Sequence, residues 1–295
     1  MQIALGNAIS ASEEMLAYET LWARANASLK SIATMFSKGN VLPSQLLEGE
    51  KDMFEVPRLK EEVKEYLQEK MGFLVSVNGD FQYPKQLRSA QYPIELFYYK
   101  GDIGLVESPC ISVVGARNCT ESGIRRTKRL VKLLVENGYT IVSGLAAGID
   151  KVAMEAAIDL SGNTIGVIGT PIDKYYPKEN RSLQDEIAKR FLLISHVPFY
   201  RYHKEPFKAK RYYFPQRNVV MSALSTATVI VEASDTSGTL TQARACLKQG
   251  RKLFILNSCF ENNNITWPRK FEKQGAIRVR DLDDILNALN DNNKQ

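Results

Sequence analysis

At 295 residues, 44% hydrophobic and 24% charged, the chain can bury its own core, and it holds no apolar run of about 20 residues that would span a membrane. Cys110, Cys119, Cys246 and Cys259 form no CxxC pair and accompany only His196 and His203, which is poor material for zinc and no disulfide framework. The net charge of +6 and pI near 9.0 admit a polyanionic partner without requiring one.

Residues 1–9 place no basic residue before their apolar ones and do not read as a signal peptide, so a cytoplasmic protein is expected. Residues 13–70 form a small helical unit. Met15, Leu16, Leu21 and Trp22, then Leu29, Ile32, Ala33 and Phe36, recur at helical spacing. Gly39-Asn40 and Pro43 mark breaks, and Ser44 is placed to cap a helix starting near Gln45. A charged helix over 59–70 follows Pro57 and stops before Gly72. Two short β-type runs, 72–77 and 95–100, carry turn residues between them at Asn78-Gly79 and Pro84. The domain boundary is placed near 75, giving a helical domain over 1–75, a larger domain over 76–290 and a polar tail over 291–295.

The larger domain alternates strand and helix, which predicts an α/β fold with a mostly parallel sheet and helices on both faces. Strands are expected at 111–114, 140–142, 164–168, 192–195, 228–232 and 252–256, with a last β-type run at 276–279. Between them the apolar spacing predicts helices, among them 123–137 and, near the end, 281–289.

Four of these strands end in loops of small residues. One holds Gly115, Ala116 and Arg117; a second runs from Ser143 and Gly144 to Gly148; a third spans 166–171; the fourth holds Ser237, Gly238 and Thr239. Small residues let backbone N–H groups and the helix N-termini behind them approach an anion, so these loops are candidate phosphate cradles. Tight helix–sheet packing explains such loops equally well. Glu232 is expected to face the same cleft, and Asp150 to complement a helix N-terminus rather than act as a base. There is no GxGxxG and no Gly-Lys-Ser/Thr, so neither a dinucleotide fingerprint nor a P-loop is present.

Between the third and fourth loops, residues 200–218 read as a loop-like segment in which basic and aromatic residues interleave. Arg201, Lys204, Lys208, Lys210, Arg211 and Arg217 stand against the single acid Glu205, a net +5. Rings stack on unpaired bases while guanidinium groups meet phosphates, so this composition suits a single strand better than a duplex. His196 has no nucleophile in an elbow context and no carboxylate pair nearby in sequence. No catalytic residue, metal or cofactor is expected.

In their order, Val113-Val114-Gly115-Ala116-Arg117, the IVSGLAAGID run over 141–150, GTPIDKYYP over 169–177, FPQRN over 214–218 and VEASDTSGT over 231–239 resemble the DprA (Smf) family of DNA-processing proteins. The resemblance spans about residues 80–290. It implies a Rossmann-like domain preceded by a small helical (SAM-like) domain. It also implies a homodimer that binds single-stranded DNA and delivers it to a RecA-type recombinase in natural transformation. The implied strand pocket uses Arg117, Arg211, Phe214, Arg217 and Asn218, with Lys210 beside them. The chain departs from the family pattern at His196, usually Glu, at Thr170, usually Gly, and at Val219-Val220-Met221, where a basic residue commonly begins the segment. No winged helix is expected after residue 290.

Two other readings stay open. A nucleotide-binding enzyme or sensor related to the phosphoribohydrolases would use the run 235–242, but the double glycine is missing and Gln242 stands where the catalytic Glu belongs. A partner-binding scaffold that kept the fold and lost DNA binding is the third.

Overall fold

The computed structural model describes residues 9–37, 39, 41–49 and 55–290. The readings made for Asn40, for the start of the chain before Ile9 and for the tail 291–295 lie outside them.

The chain opens with α1 (Ala11–Ala23), α2 (Leu29–Phe36), α3 (Pro43–Glu48) and α4 (Glu55–Leu67). A reciprocal cap starts α2: the Ser31 N–H donates to Ser28 Oγ at 3.2 Å, and the Ser28 N–H to Ser31 Oγ at 2.8 Å. The cap expected at Ser44 is not formed. Leu42 is the N-cap of α3, Pro43 occupies its first turn, and Gln45 Oε1 accepts the Leu42 N–H at 3.0 Å. Ser44 is drawn instead to the Glu14 carboxylate of α1, which accepts its N–H at 2.8 Å and its hydroxyl at 2.6 Å. The charged helix starts earlier than expected, because Pro57 sits in the first turn of α4, where a missing N–H costs nothing.

β1 (Leu74–Val77), the single turn α5 (Lys85–Arg88) and β2 (Leu96–Gly101) follow. The α/β alternation then runs β3 (Cys110–Val114), α6 (Glu121–Glu136), β4 (Thr140–Ser143), α7 (Ile149–Asp159), β5 (Thr164–Ile168), α8 (Arg181–Arg190) and β6 (Leu192–Ser195). The segment read as a loop is three helices, α9 (Phe199–Lys204), α10 (Phe207–Lys210) and α11 (Tyr213–Leu224). Pro198 and Pro206 start the first two. In α11 the buried stripe Tyr213, Arg217, Val220, Met221 and Leu224 is helically spaced, but one of its members is an arginine, which hides the period. The chain closes with β7 (Ala227–Ile230), α12 (Thr239–Lys248), β8 (Lys252–Leu256), α13 (Asn257–Phe260), α14 (Trp267–Glu272), β9 (Ile277–Val279) and α15 (Asp283–Asn290). No helix among the described residues is long and apolar enough to cross a membrane.

Nine strands among the described residues form one sheet in the order β1-β2-β6-β5-β4-β3-β7-β8-β9. β2 is antiparallel to both β1 and β6; the other pairs are parallel. Every residue of β3, β4, β5, β6 and β7 is buried, because helices cover both faces, and strands so placed read as unbroken apolar runs. On one face Ile111, Val113, Leu130, Leu134, Ile149 and Val229 meet. On the other, Tyr18, Leu21 and Trp22 of α1 join Phe97, Val142, Ile165 and Ile194 in one continuous core. After β6 the chain crosses back to lay β7 beside β3, so the strand order reverses between these two. The carboxyl ends of a doubly wound sheet part at such a switch point and leave a crevice for ligands.

The first helices are joined to this sheet through Glu19 of α1, which is fully buried. Its carboxylate accepts the Tyr98 hydroxyl and the N–H groups of Phe199 (2.7 Å) and Tyr200 (3.0 Å), the first two residues of α9. Burial pushes Glu19 up to about 7 against these hydrogen bonds.

Candidate nucleic-acid interface

A cavity of about 590 Å³ opens at the switch point. Its walls are the turn after β3 (Gly115, Ala116, Arg117 and Asn118), the loop after β7 (Ser234, Thr236, Ser237, Gly238 and Thr239) and the start of α11 (Phe214, Pro215, Arg217 and Asn218), with Asp150 and Gln242 beneath.

The two loops are held in place by one backbone–backbone and one side-chain–backbone hydrogen bond. The Ala116 N–H donates to the Glu232 carbonyl at 2.7 Å, and the Thr239 hydroxyl to the Gly115 carbonyl at 3.2 Å. Gly238 is the N-cap of α12, and Ser237 Oγ, one residue before it, accepts the Thr239 N–H at 3.2 Å in a local turn. Asn218 ties α11 to the same loop by donating to the Gly238 carbonyl at 3.1 Å. Outside the cavity, the exposed Asp235 carboxylate accepts the N–H groups of Thr266 and Trp267 at the start of α14, which pulls its pKa below the usual carboxylate range.

Arg217 is buried at the base, and its Nη1 donates to the Val167 carbonyl of β5 at 3.0 Å. It crosses over Gly144, where a β-carbon would lie 1.5 Å from Nη1 and 2.7 Å from Asp150 Oδ2, so only glycine admits this guanidinium beside this carboxylate. Asp150 Oδ2 also accepts the Gly144 N–H at 3.2 Å. Burial pushes Asp150 up, and the Arg217 guanidinium opposes that push. Burial likewise lowers Arg217, opposed by Asp150 and reinforced by Arg117. With Asp150 and Arg217 offsetting each other, the exposed Arg117 supplies the free charge of the cavity; it has no ion pair among the described residues.

Phe214 is half-buried. One face of its ring lies on Gly169, and the Tyr176 ring stands 5.0 Å away at 44°. The cavity therefore offers a guanidinium, an aromatic face, the Gly238 N–H and small hydroxyls, a set that fits an anion joined to a flat ring.

The structure brings Arg117, Phe214, Arg217, Asn218, Gly115, Ala116, Ser237, Gly238 and Thr239 together on this wall. Other expected residues lie elsewhere. Ser143 is buried and donates to the Val113 carbonyl at 2.7 Å, Gly144 backs Arg217, and Gly148 starts α7 with φ +75° against the Ala116 and Arg117 carbonyls. Lys210 and Arg211 stand on the preceding turn, off the wall. Lys210 Nζ lies 4.8 Å from the centre of the Tyr202 ring, and the exposed Arg211 guanidinium 5.6 Å from that of Phe207. The turn still reaches the site through its backbone, since the Phe214 N–H donates to the Arg211 carbonyl at 3.4 Å. Glu232 does not face the cavity. Its carboxylate accepts the Thr120 N–H (3.2 Å) and hydroxyl (2.8 Å) at the start of α6 and pairs with Arg126 at 3.5 Å. His196 is buried, its pKa pushed down to about 4 by desolvation, and it is neutral at physiological pH. The sequence reading missed Asn118 and Tyr176, although Asn118 adjoins Arg117 and Tyr176 lies in the third loop's continuation; Gln242, named there only for the hydrolase alternative, does line the cavity.

Fold and cavity together define a doubly wound α/β protein with a basic, aromatic ligand site at its switch point. Residues 75–290 match the DNA recombination-mediator protein A family, and the chain belongs to that family. It is 35% identical over 215 residues to the DNA processing protein DprA of Bacillus subtilis, covering 72% of this chain and 70% of that one. With DprA of Streptococcus pneumoniae it shares 37% over 204 residues, 69% of this chain and 70% of its relative. The X-ray structure of the S. pneumoniae protein superposes with a TM-score of 0.77 at 26% identity, covering 95% of this chain and 98% of that one. A Helicobacter pylori DNA processing protein A, described for its single-stranded-DNA binding mode, superposes with a TM-score of 0.64 at 28% identity, over 75% and 97%.

Proposed function

We propose that this protein binds single-stranded DNA through the switch-point cavity and serves as a non-catalytic recombination mediator. The observation that carries the reading is the meeting of the exposed Arg117 guanidinium and the Phe214 ring on one cavity wall. A ring at that place stacks on an unpaired base, and a guanidinium beside it takes the adjoining phosphate in a fork of parallel hydrogen bonds. Arg217 and Asn218 complete the wall, and the Lys210–Arg211 turn adds positive charge upstream of it. The Gly238 N–H, which makes no hydrogen bond among the described residues, adds a donor for a phosphate oxygen, whereas those of Gly115, Ala116, Ser237 and Thr239 are engaged within the protein and hold the wall in shape. Membership of the family and the single-strand binding of the H. pylori relative support the same ligand.

As in the family resemblance, the bound strand is handed to a RecA-type recombinase in the cytoplasm by a homodimer of this chain, in the service of natural transformation. The competing hydrolytic reading lacks its base, since the buried Gln242 carboxamide occupies that position and cannot take a proton or hold a developing positive charge. Fluorescence anisotropy with a labelled oligothymidine tests the proposal. Wild type binds with an affinity that falls as salt rises, and Arg117→Ala and Phe214→Ala each weaken binding with the fold unchanged. Equal binding by those variants, or release of free base from a nucleoside monophosphate, overturns it.

A further inference from the structure

A second, smaller cavity of about 170 Å³ lies farther along the same carboxyl edge, beyond β7, at the ends of β8 and β9. Three arginines converge on it: Arg126 and Arg129 from successive turns of α6, and Arg280 from the end of β9. Asn257 and Ser258 of α13 line it as well. Its one carboxylate, Asp281, is engaged in the turn that starts α15, where it accepts the Asp283 N–H at 3.2 Å.

Several groups here are without partners. Ser258 Oγ and Arg126 Nε are buried and make no hydrogen bond. Arg129 and Arg280 are exposed and form no ion pair among the described residues, although the nearby Asp284 charge acts on Arg280. Only the end of the Arg126 guanidinium is engaged, at 3.5 Å from Glu232. A ligand carrying two or more negative oxygens would bring this cluster of cations the counter-charge it lacks, and a volume this small suits a phosphate group rather than a nucleoside. Glu232 connects the two cavities directly: its carbonyl holds the Ala116 N–H of the first while its carboxylate holds Arg126 of the second.

We propose that the Arg126–Arg129–Arg280 pocket is a second phosphate site, taking a phosphodiester of the same strand a few nucleotides from the one gripped by Arg117 and Phe214. The inference rests on the reading of the main cavity as a single-strand site. Guanidinium groups suit the role because their planar forks match phosphate oxygens in pairs.

The test compares oligothymidines of about 4 and about 16 nucleotides, the span of site sizes seen for single-strand grooves. The variant is the full chain carrying Arg129→Ala and Arg280→Ala, two exposed residues whose removal leaves the thermal midpoint unchanged. The short oligomer binds wild type and variant alike. The long one binds the variant at least tenfold more weakly, with the slope of log K against log salt shallower by about 0.7 for each phosphate no longer neutralised. Equal binding of the long oligomer by both proteins overturns the second site while leaving the first standing. Binding of neither oligomer by wild type overturns the first. Inorganic phosphate that raises the melting temperature of wild type and not of the variant, with long-oligomer binding unchanged, assigns the pocket to a free phosphate and overturns the strand.

Discussion

Asp150 under the cavity and Glu19 in the joint between the first helices and the sheet are both buried carboxylates that accept backbone N–H groups, but their other neighbours differ. Asp150 has the Arg217 guanidinium beside it, opposing the upward push of burial. Glu19 is held by two amides and a phenol, with Lys70 acting only as a minor influence, and is pushed up to about 7. Neutral donors satisfy a carboxylate geometrically without repaying its lost hydration; a guanidinium does both. The charge state of the joint therefore changes near neutral pH, whereas at the base of the ligand cavity an opposite charge stands beside the carboxylate and opposes, without cancelling, the push of burial.

The most severe way to break this contrast is to remove Arg217. Arg217→Ala strands Asp150 in a buried site and is expected to cost about 3–5 kcal/mol of stability in a denaturant titration. Asp150→Ala combined with Arg217→Met restores most of that deficit. A single variant as stable as wild type would mean that no buried pair exists.

Glu19→Gln keeps the shape and removes the titration, at a pH-independent cost, since its NH2 replaces one of the two acceptor oxygens. Because the folded pKa is raised from 4.5 to about 7, Glu19 contributes stability below pH 4.5 that is lost as pH climbs through 7. Relative to wild type, the variant gains about 3 kcal/mol between pH 4.5 and pH 8. His196 has the opposite sign: its folded pKa of about 4 lies below the ordinary 6.5, so it destabilises the fold as pH falls from 6.5 to 4. The two slopes oppose each other in wild type, and thermal melts of Glu19→Gln across pH separate them. A stability difference from wild type that does not vary with pH would refute the elevated Glu19 value.

Phe214→Ala tests the cavity without touching either carboxylate. It is expected to lower single-strand affinity by about 1–3 kcal/mol, the worth of one stacked base, with stability altered far less. The smallest effect belongs to the turn before it. Lys210→Ala and Arg211→Ala lie off the wall, and each is expected to cost under about 1 kcal/mol of binding, as exposed charges do. A larger drop at Arg211 than at Phe214 in the same anisotropy assay would move the strand's path onto that turn.

Much of this arrangement is legible in the residues alone. The strands at 164–168, 192–195 and 252–256 coincide with β5, β6 and β8, because burial on both faces turns each into an unbroken apolar run with polar ends. The small-residue loops likewise announce the carboxyl edge. What spacing does not reveal is which small residues face the ligand and which face the protein. Ser143 and Gly144 read the same as Ser237 and Gly238, yet the first two serve Val113 and Arg217. α9 to α11 escape as helices because two are too short to show a period and the third buries an arginine in its apolar stripe. Ser44 gives up its capping role for a tertiary hydrogen bond to Glu14, some 30 residues away in sequence.

Asp235 has a consequence for how fast and how tightly a ligand is taken up. By gripping the first amides of α14 from outside, it fixes the Ser234–Thr239 loop from behind, while Gly115 and Asn218 fix it from the front. A wall immobilised on both sides has already given up its conformational freedom during folding. An arriving ligand then finds its donors preorganised and loses little affinity to ordering them.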